Sequence, residues 1–285
     1  MLESAEWSEL TVALVRGRSR LTASKSRQPL KILNPATNAG SCHAVLSSYG
    51  GGLVAGDAIR LQVRAEAGTC LLLSSQANTR IFRSDTGAVA EQHLAGTLAA
   101  GALVVSFPDP VVLQEGSRYR QLQHWQLAPD ALLLAADWFH SGRMDRGEQF
   151  VFSEFHSELR VSVADQTVLL DRFTFRPAEH IATSPAHFAD YQTALSIYLV
   201  GAPAEARFQQ LAAALLALKQ REALGLHARL AGQDYVLTVA QARPEVYVVR
   251  ALGRSRQALQ PLAEEIMRAL ATPELLGFDA WARKY

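Results

Sequence analysis

Residues 58–64 read Ala-Ile-Arg-Leu-Gln-Val-Arg, in which apolar side chains alternate with basic or amide side chains. Successive side chains of a strand point to opposite faces of a sheet, so this pattern predicts a strand with one buried face. Short apolar runs recur through the first two thirds of the chain, and glycines or prolines separate many of them. Short apolar runs with regular breaks are typical of a sandwich, a barrel or a β-solenoid, and they disfavour βαβ units.

Two later segments carry apolar residues at helical spacing. The stripes are Phe208, Leu211, Leu215 and Leu218 in the first segment and Leu259, Leu262, Ile266 and Leu270 in the second. Both stripes predict helices that pack against a core. We expect Pro203 in the first turn of one helix. The regular part of the other helix should begin near Pro261, because proline is unfavourable inside a helix.

These patterns predict a mainly β fold, with many short strands in one large β-rich body and two helices in the C-terminal third. The body should be sandwich-like or β-solenoid-like. Residues 159–163 and 168–173 should form a hairpin around the turn at 164–166. We expect a single domain over residues 1–285, β-rich over 10–200 and helix-containing over 203–285.

Composition excludes several classes of protein. The chain has 285 residues, with 28 Lys+Arg and 27 Asp+Glu, and a net charge of +1 disfavours a dedicated nucleic-acid binder. No apolar run approaches the ~20 residues that cross a bilayer. Glu3, Glu6 and Glu9 are atypical of a secretion signal, and two cysteines cannot form a disulfide framework. We therefore expect a cytoplasmic protein that binds neither nucleic acid nor membrane.

Residues 49–57 read Tyr-Gly-Gly-Gly-Leu-Val-Ala-Gly-Asp and lead into the alternating strand. Gly51 and Gly56 have the spacing of a phosphate-binding loop, which continues with Lys and then Ser or Thr. Asp57 and Ala58 occupy those positions here, and a carboxylate would repel phosphate. The segment instead predicts a glycine-rich turn with positive φ angles, in which Asp57 accepts backbone N–H bonds.

A second group of charges lies between residues 137 and 148. It is consistent with a solvated hairpin tip, or with carboxylates that arginines hold against the apolar Trp138 and Phe139. If Asp137 and Glu148 formed a general acid/base pair, the chain would be a β-rich hydrolase, which we keep as an alternative.

The sequence contains no His-Glu-x-x-His or Cys-x-x-Cys metal motif. Cys42 and His43 are the only adjacent pair of soft ligands. Along a strand their side chains would point to opposite faces, so joint chelation would need a loop. They are therefore only weak candidates for a transient metal contact.

Taken in order, several segments resemble the UreD (UreH) family of urease accessory proteins. The most specific are residues 51–57, Gly-Gly-Leu-Val-Ala-Gly-Asp, and residues 74–83, Ser-Ser-Gln-Ala-Asn-Thr-Arg-Ile-Phe-Arg. The resemblance covers residues 10–280, and residues 34–39 and 47–49 depart from the family pattern, which weakens the case for an extra histidine ligand. The motif positions are Gly51, Gly52, Gly56, Gln76, Thr79, Arg83, Pro108, Asp109, Gly142, Arg143 and Gly147.

The resemblance implies a non-enzymatic, largely β scaffold with a pair of helices and no catalytic residues. Such a protein would work in the cytoplasm with UreF and the GTPase UreG to deliver nickel into apo-urease, with the nickel supplied by a metallochaperone such as UreE. GTP hydrolysis would then belong to the partner. No cofactor would be bound tightly, and nickel would be held only transiently.

A route for nickel should offer several weak oxygen ligands, because thiolates would trap the ion. Asp57, Asp137 and Glu148 are therefore the candidate path or structural carboxylates. A metal-free adaptor that only recruits partners remains a further alternative to the nickel route.

Overall fold

A computed structural model describes residues 6–184, 187–223 and 234–282. The strands of the first half are β1 (Ser8–Val15), β2 (Arg18–Lys25), β3 (Leu30–Leu33), β4 (Cys42–Ser48), β5 (Gly52–Leu53), β6 (Ala58–Ala65), β7 (Cys70–Ser75), β8 (Thr79–Ile81), β9 (Ala90–Leu98), β10 (Leu103–Phe107), β11 (Val111–Leu113) and β12 (Arg118–Leu127). The elements that follow are β13 (Leu132–His140), β14 (Glu154–Val163), β15 (Gln166–Phe175), β16 (Thr193–Val200), α1 (Ala206–Ala223), β17 (Tyr235–Arg243), β18 (Val246–Gly253) and α2 (Arg256–Ala269).

The strands form two sheets. One has seven strands in the order β15-β14-β12-β9-β6-β1-β2; the other has eleven, in the order β17-β18-β16-β13-β10-β7-β4-β3 with β5, β8 and β11 attached. The chain passes from one sheet to the other and back. As a result β6, β9, β12 and β14 pair in parallel in one sheet, and β4, β7, β10 and β13 pair in parallel in the other. This winding is solenoid-like and confirms the predicted fold class.

Apolar side chains fill the space between the two sheets. In β6 the predicted alternation is present, since Ile59, Leu61 and Val63 are buried in this core. On the other face of the eleven-stranded sheet, α1 and α2 cover a second apolar cluster that includes both predicted helical stripes. The sheet is therefore apolar on both faces, as expected for parallel strands covered on both sides.

The observed hairpin and helix starts agree in part with those predicted from the sequence. The turn between β14 and β15 contains Ala164 and Asp165 with φ of 46° and 66°, as the predicted hairpin requires. Pro203 lies before α1, which begins at Ala206. The expected start of α2 near Pro261 is wrong, because the Ser255 hydroxyl accepts a bond from the Ala258 N–H and begins the helix earlier. None of the described helices has the length and hydropathy to cross a bilayer.

Gly96 provides a test of the packing between the sheets. It pairs with Trp125 across β9 and β12, and a Cβ at this position would lie 2.0 Å from the Trp125 ring. Because the Trp125 ring is buried, Gly96→Ala should destabilise the fold by about 1–3 kcal/mol, the usual range for overpacking. Thermal unfolding measures the difference.

Gly40→Ala is the matched control, since a Cβ there meets no atom within 4 Å. Its melting temperature should stay at the wild-type value. Equal melting temperatures for Gly96→Ala and Gly40→Ala would contradict the contact between Gly96 and Trp125.

Candidate functional site

Motif segments that are far apart in the sequence meet at one end of the two-sheet body. Because β4, β7, β10 and β13 are parallel neighbours, their carboxyl ends lie along the same edge. Gly51, Gln76, Pro108 and Gly142 each follow one of these strands. Residues that the family resemblance singles out thus gather at the carboxyl ends of the parallel strands, a common position for functional loops in sheet proteins.

The glycine-rich segment forms the predicted turn. Gly50, Gly51 and Gly56 have φ of 71°, 72° and 87°, in the left-handed region that favours glycine. The Asp57 carboxylate accepts a bond from the Val54 N–H at 2.9 Å, which confirms its expected contact with the backbone. The strand β6 follows, where a phosphate-binding loop would continue into a helix. This segment therefore has the local structure of a tight turn, with its carboxylate used to hold it.

A cavity of about 340 Å³, which we call the inner cavity, opens between the sheets beneath these loops. Asp109 and Asp137 are the charged residues in its described lining, which contains no basic side chain, histidine or cysteine. Hydroxyl and amide groups make up most of the remaining polar lining, among them Ser75, Ser106 and Gln121. The polar part of the lining therefore consists of oxygen ligands and amides, and apolar side chains such as Leu73 and Trp138 line the rest of the cavity.

The register of the strands places its polar residues in one layer. In the seven-stranded sheet Gln121 on β12 pairs with Gln92 on β9 and with Ser157 on β14. Opposite them, Asp137 on β13 pairs with Ser196 on β16. This polar layer thus interrupts the apolar core between the sheets.

Asp137 links the two sheets through this layer. The Gln121 amide donates to Asp137 Oδ1 at 2.6 Å and to Ser157 Oγ at 2.9 Å, and the Ser157 hydroxyl donates to Asp137 Oδ2 at 2.6 Å. Removal from bulk water raises the pKa of Asp137, while the bonds from Ser157 and Gln121 act in the opposite direction. The carboxyl group is therefore oriented but less acidic than one on the surface.

The polar layer continues toward the edge of the sheets. Arg250 donates to Ser196 Oγ at 3.0 Å and to Asp171 Oδ2 at 2.8 Å, and the Tyr198 hydroxyl also donates to Asp171. Burial raises the pKa of Tyr198, so this hydroxyl stays a donor at neutral pH. Sequence reasoning missed Asp171, Tyr198 and Arg250 as members of the layer.

Asp109 is fixed at the mouth of the inner cavity. Its backbone N–H donates to Ser75 Oγ at 2.6 Å, and the Ser75 hydroxyl donates to Asp109 Oδ2 at 2.9 Å. The flanking Pro108 and Pro110 restrict the backbone on both sides. This motif carboxylate therefore belongs to the cavity wall.

Glu148 lies outside the described lining of the inner cavity and is bound by Arg143. Arg143 Nε donates to Glu148 Oε1 at 2.8 Å, and the Arg143 backbone N–H donates to Oε2 at 3.0 Å. A Cβ on Gly142 would lie 2.6 Å from the Glu148 Cβ, which explains the glycine at that motif position. The Arg143 side chain holds the pKa of Glu148 below its usual range.

The three predicted carboxylates therefore have different surroundings. Asp137 lines the inner cavity, Asp57 holds a turn, and Glu148 forms an ion pair with Arg143. Asp137 and Glu148 share no hydrogen-bonding partner in the described part of the chain. The acid/base pair of the hydrolase alternative thus gains no support from these contacts.

Cys42 and His43 point to opposite faces of β4, as the sequence predicts for a strand. Cys42 lies in the core between the sheets, where burial raises the pKa of its thiol. His43 Nε2 lies 2.9 Å from Ser74 Oγ, and His43 lines an adjoining cavity of about 400 Å³ beside Met267 and Trp281, which shares Ser74, Ser75 and Gln76 with the inner cavity. In the described residues no group of three or more His, Cys, Asp or Glu side chains is placed to hold a metal ion.

Comparison with known proteins agrees with the sequence resemblance. A family model described as UreD urease accessory protein matches residues 6–284. A urease accessory protein UreD from Cytophaga hutchinsonii is 34% identical over 283 residues, 98% of each chain. One from Sorangium cellulosum is 36% identical over 97% of this chain and 83% of its own length. A urease accessory protein D from Arabidopsis thaliana is 32% identical over 68% of this chain and 67% of its own.

The contact between Arg143 and Glu148 predicts a pH-dependent stability. The pKa of Glu148 is lower in the folded state than the usual value of about 4.3, so the ion pair contributes its full stability above that pH. The contribution is lost as the pH falls through the folded-state pKa. Glu148→Gln should therefore be less stable than the wild type at about pH 7, and the difference should shrink toward about pH 3.5.

Urea unfolding at both pH values measures this difference. Glu66→Gln is the control, since the Glu66 side chain is exposed and has no ion pair among the described residues. If the difference in the free energy of unfolding between Glu148→Gln and the wild type is the same at both pH values, the ion pair does not cause that difference.

Proposed function

The chain belongs to the UreD family of urease accessory proteins, and on that premise we propose that it is a scaffold subunit that passes nickel toward urease. Membership gives it a role in urease maturation, as an accessory protein and not as the urease itself. We propose that it acts in the cytoplasm with UreF and the GTPase UreG, on apo-urease, with nickel supplied by a metallochaperone of the UreE kind. Nickel is cargo in this proposal.

The inner cavity supports the nickel route more directly than any other feature. Among the described residues, its charged lining consists of Asp109 and Asp137, accompanied by hydroxyl and amide groups and without thiolate or imidazole. Soft thiolates would retain a nickel ion, whereas carboxylate, hydroxyl and amide oxygens bind it more weakly. Passage requires binding strong enough to admit the ion and weak enough to release it. The oxygen atoms among the lining residues supply weak ligands of the kind that this proposal needs.

Asp137 suits such a route because its carboxylate is oriented without being neutralised. Gln121 and Ser157 each donate one hydrogen bond to it, and an ionised carboxylate has acceptor sites for about four. Lone pairs therefore remain for a cation in the cavity. Its raised pKa also means that a divalent ion competes with a proton, so release of the ion is eased when the group is reprotonated.

A metal-free adaptor is the second candidate function. Two apolar side chains of the glycine-rich turn, Tyr49 and Val54, are 55% and 53% exposed at the same end as the motif residues. Apolar side chains exposed at this end of the body are available for burial against a partner protein. This observation supports docking of a partner protein and says nothing about nickel transfer. The nickel content of urease therefore distinguishes the nickel route from the metal-free adaptor.

We expect urease co-expressed with its accessory proteins but without this chain to fold and remain nickel-poor and inactive. In the complete system, Asp137→Asn should lower the nickel content of urease about fivefold at limiting nickel, because the ion loses about 1 kcal/mol of attraction. The amide keeps the shape of the carboxylate; its oxygen still accepts from Gln121, while its NH2 group replaces the second acceptor and donates to the Ser157 hydroxyl, which reverses that bond. Nickel analysis and urease activity after purification measure both effects.

Asp130→Asn is the matched control, as Asp130 is exposed and lies outside the inner cavity. It should leave the nickel content unchanged. Full activity without the chain at low nickel would contradict a role in nickel delivery. Wild-type nickel content with Asp137→Asn, together with inactive urease in the deletion, would favour the metal-free adaptor.

The turn at residues 49–57 predicts that the purified chain hydrolyses no GTP. Asp57 stands where a phosphate-binding loop has lysine, and its carboxylate is bound to the Val54 N–H. Phosphate release from GTP should therefore match the rate without protein and rise only when the partner GTPase is added. Sustained turnover by the chain alone would overturn the assignment of GTP hydrolysis to a partner.

A further inference from the structure

The N-terminal part of the chain forms an edge of the body with a concentrated positive charge. Between Glu9 and Asp57 the sequence has six lysines or arginines and no aspartate or glutamate, although the whole chain carries a net charge of +1. These strands lie at the ends of both sheets, where β1 and β2 complete one sheet and β4 and β3 complete the other. The two ends adjoin, since the Ser19 N–H on β2 donates to the Gly40 carbonyl at 2.7 Å. We call this region the basic edge, and its charged residues are Arg16, Arg18, Arg20, Lys25, Arg27 and Lys31.

Most charges of the basic edge have no acidic partner. Arg27 pairs with Glu6, but in the described part of the chain no carboxylate lies within salt-bridge distance of the other five basic residues. At the far side of the same sheet, by contrast, Arg172 donates to Glu158 at 2.8 Å. The turn beside the β1–β2 hairpin contributes the exposed Glu66, which forms no ion pair among the described residues either. The positive charge of the basic edge is therefore not neutralised within the described structure.

The hairpin between β1 and β2 exposes apolar side chains among these charges. Leu14 and Val15 at its tip are 49% and 45% exposed. Ser19 is buried on the core side, so Arg18 and Arg20 on either side of it point away from the core. Because β1 runs parallel to β6, whose carboxyl end leads through a turn into β7, the tip lies at the end of the body opposite the motif loops. This surface is therefore separate from the loops around the inner cavity.

The turn at the tip carries arginine where its backbone favours another residue. Arg16 and Gly17 have φ of 52° and 72°, the combination of a type I′ turn, for which Asn-Gly is a preferred sequence. The left-handed region is unfavourable for arginine and better tolerated by asparagine. The stability of the turn therefore does not explain Arg16. Charges also keep other strands from adding to the edge of a sheet, but that role does not require the exposed Leu14 and Val15 beside them.

We propose that the tip of the β1–β2 hairpin docks an acidic segment of a partner protein. Carboxylates of this segment accept charge-assisted hydrogen bonds from Arg16, Arg18 and Arg20, whose guanidinium groups match two carboxylate oxygens in a planar fork. Apolar side chains of the segment cover Leu14 and Val15 and remove their surface from water. A protein segment supplies carboxylates and apolar side chains together, whereas a polyanion such as a nucleic acid backbone supplies charge alone.

Binding of defined peptides tests this surface without urease or nickel. The full chain is titrated into a fluorescein-labelled peptide of Glu-Leu-Glu repeats, and fluorescence anisotropy measures the affinity. A peptide with glutamine in place of glutamate should bind at least about tenfold more weakly, and affinity for the acidic peptide should fall as NaCl rises from about 50 to about 200 mM. A peptide with serine in place of leucine should bind about threefold more weakly, because the contact with Leu14 and Val15 is lost.

Two results of these titrations would overturn the proposal. The first is equal affinity for the glutamate and glutamine peptides. The second is displacement of the labelled peptide by oligothymidylate, or by phosphatidylserine vesicles, at lower concentrations than the unlabelled acidic peptide requires. That result would assign the basic edge to a nucleic acid or to a membrane surface instead.

Three variants locate the peptide and separate binding from folding. Arg16→Asn should unfold at the wild-type temperature or above it, because asparagine suits the turn, and should bind the acidic peptide about threefold more weakly. Arg16→Glu combined with Arg18→Glu should weaken binding at least about tenfold. Arg146→Glu combined with Arg243→Glu is the matched control, since it changes the net charge equally at exposed positions outside the basic edge, and it should keep the affinity within about twofold. A control pair as damaging as the pair at the tip, or wild-type binding by Arg16→Asn, would contradict the site.

Discussion

The parallel register of the stacked strands is the constraint on which the rest of this structure depends. At a given height along the strands, each strand contributes one side chain that points between the sheets. Parallel pairing places the corresponding side chain of the next strand beside it at the same level. A single polar level therefore becomes a continuous layer, with Gln121 and Ser157 on one side and Asp137 on the other. The same register brings the carboxyl ends of β4, β7, β10 and β13 together, so that the motif loops surround the opening above this layer.

A polar layer in an apolar core is costly unless its members satisfy one another. Here Asp137 receives bonds from both Gln121 and Ser157, which offset part of the cost of removing a carboxylate from water. An apolar layer of similar volume would often be equally or more stable, because desolvation of charge opposes the gain from pairing. The chain nevertheless retains the Asp137 carboxyl group at this level, and the cation passage that we propose would supply a physical reason for it.

Local features were predictable from the sequence because they depend on neighbouring residues. The turn held by Asp57 follows from the spacing of glycines, and the strand after it follows from the alternation at residues 58–64. The contact between Arg143 and Glu148 joins residues five positions apart and agrees, for Glu148, with one of the two alternatives for this segment; Asp137 is bound by Gln121 and Ser157 instead of an arginine. The start of α2 was missed because the cap at Ser255 outweighs the effect of Pro261.

The polar layer was not predictable in the same way, since it depends on which strands are neighbours. Gln121 and Ser157 lie 36 residues apart and meet only because β12 pairs with β14. A partial signal was present, because Gln121 occupies an inward position between the buried Tyr119 and Trp125. Asp137 was singled out from its own segment, but its partners come from another sheet.

Anomalous diffraction at the nickel absorption edge, from crystals of the full chain soaked in nickel, tests the central claim most directly. The account predicts a nickel peak inside the inner cavity, with oxygen atoms of Asp109 or Asp137 at about 2.0–2.2 Å, the range seen for carboxylates bound to zinc, another divalent ion. A peak confined to the cavity of His43 and Met267, or an inner cavity that takes up no nickel, would contradict it.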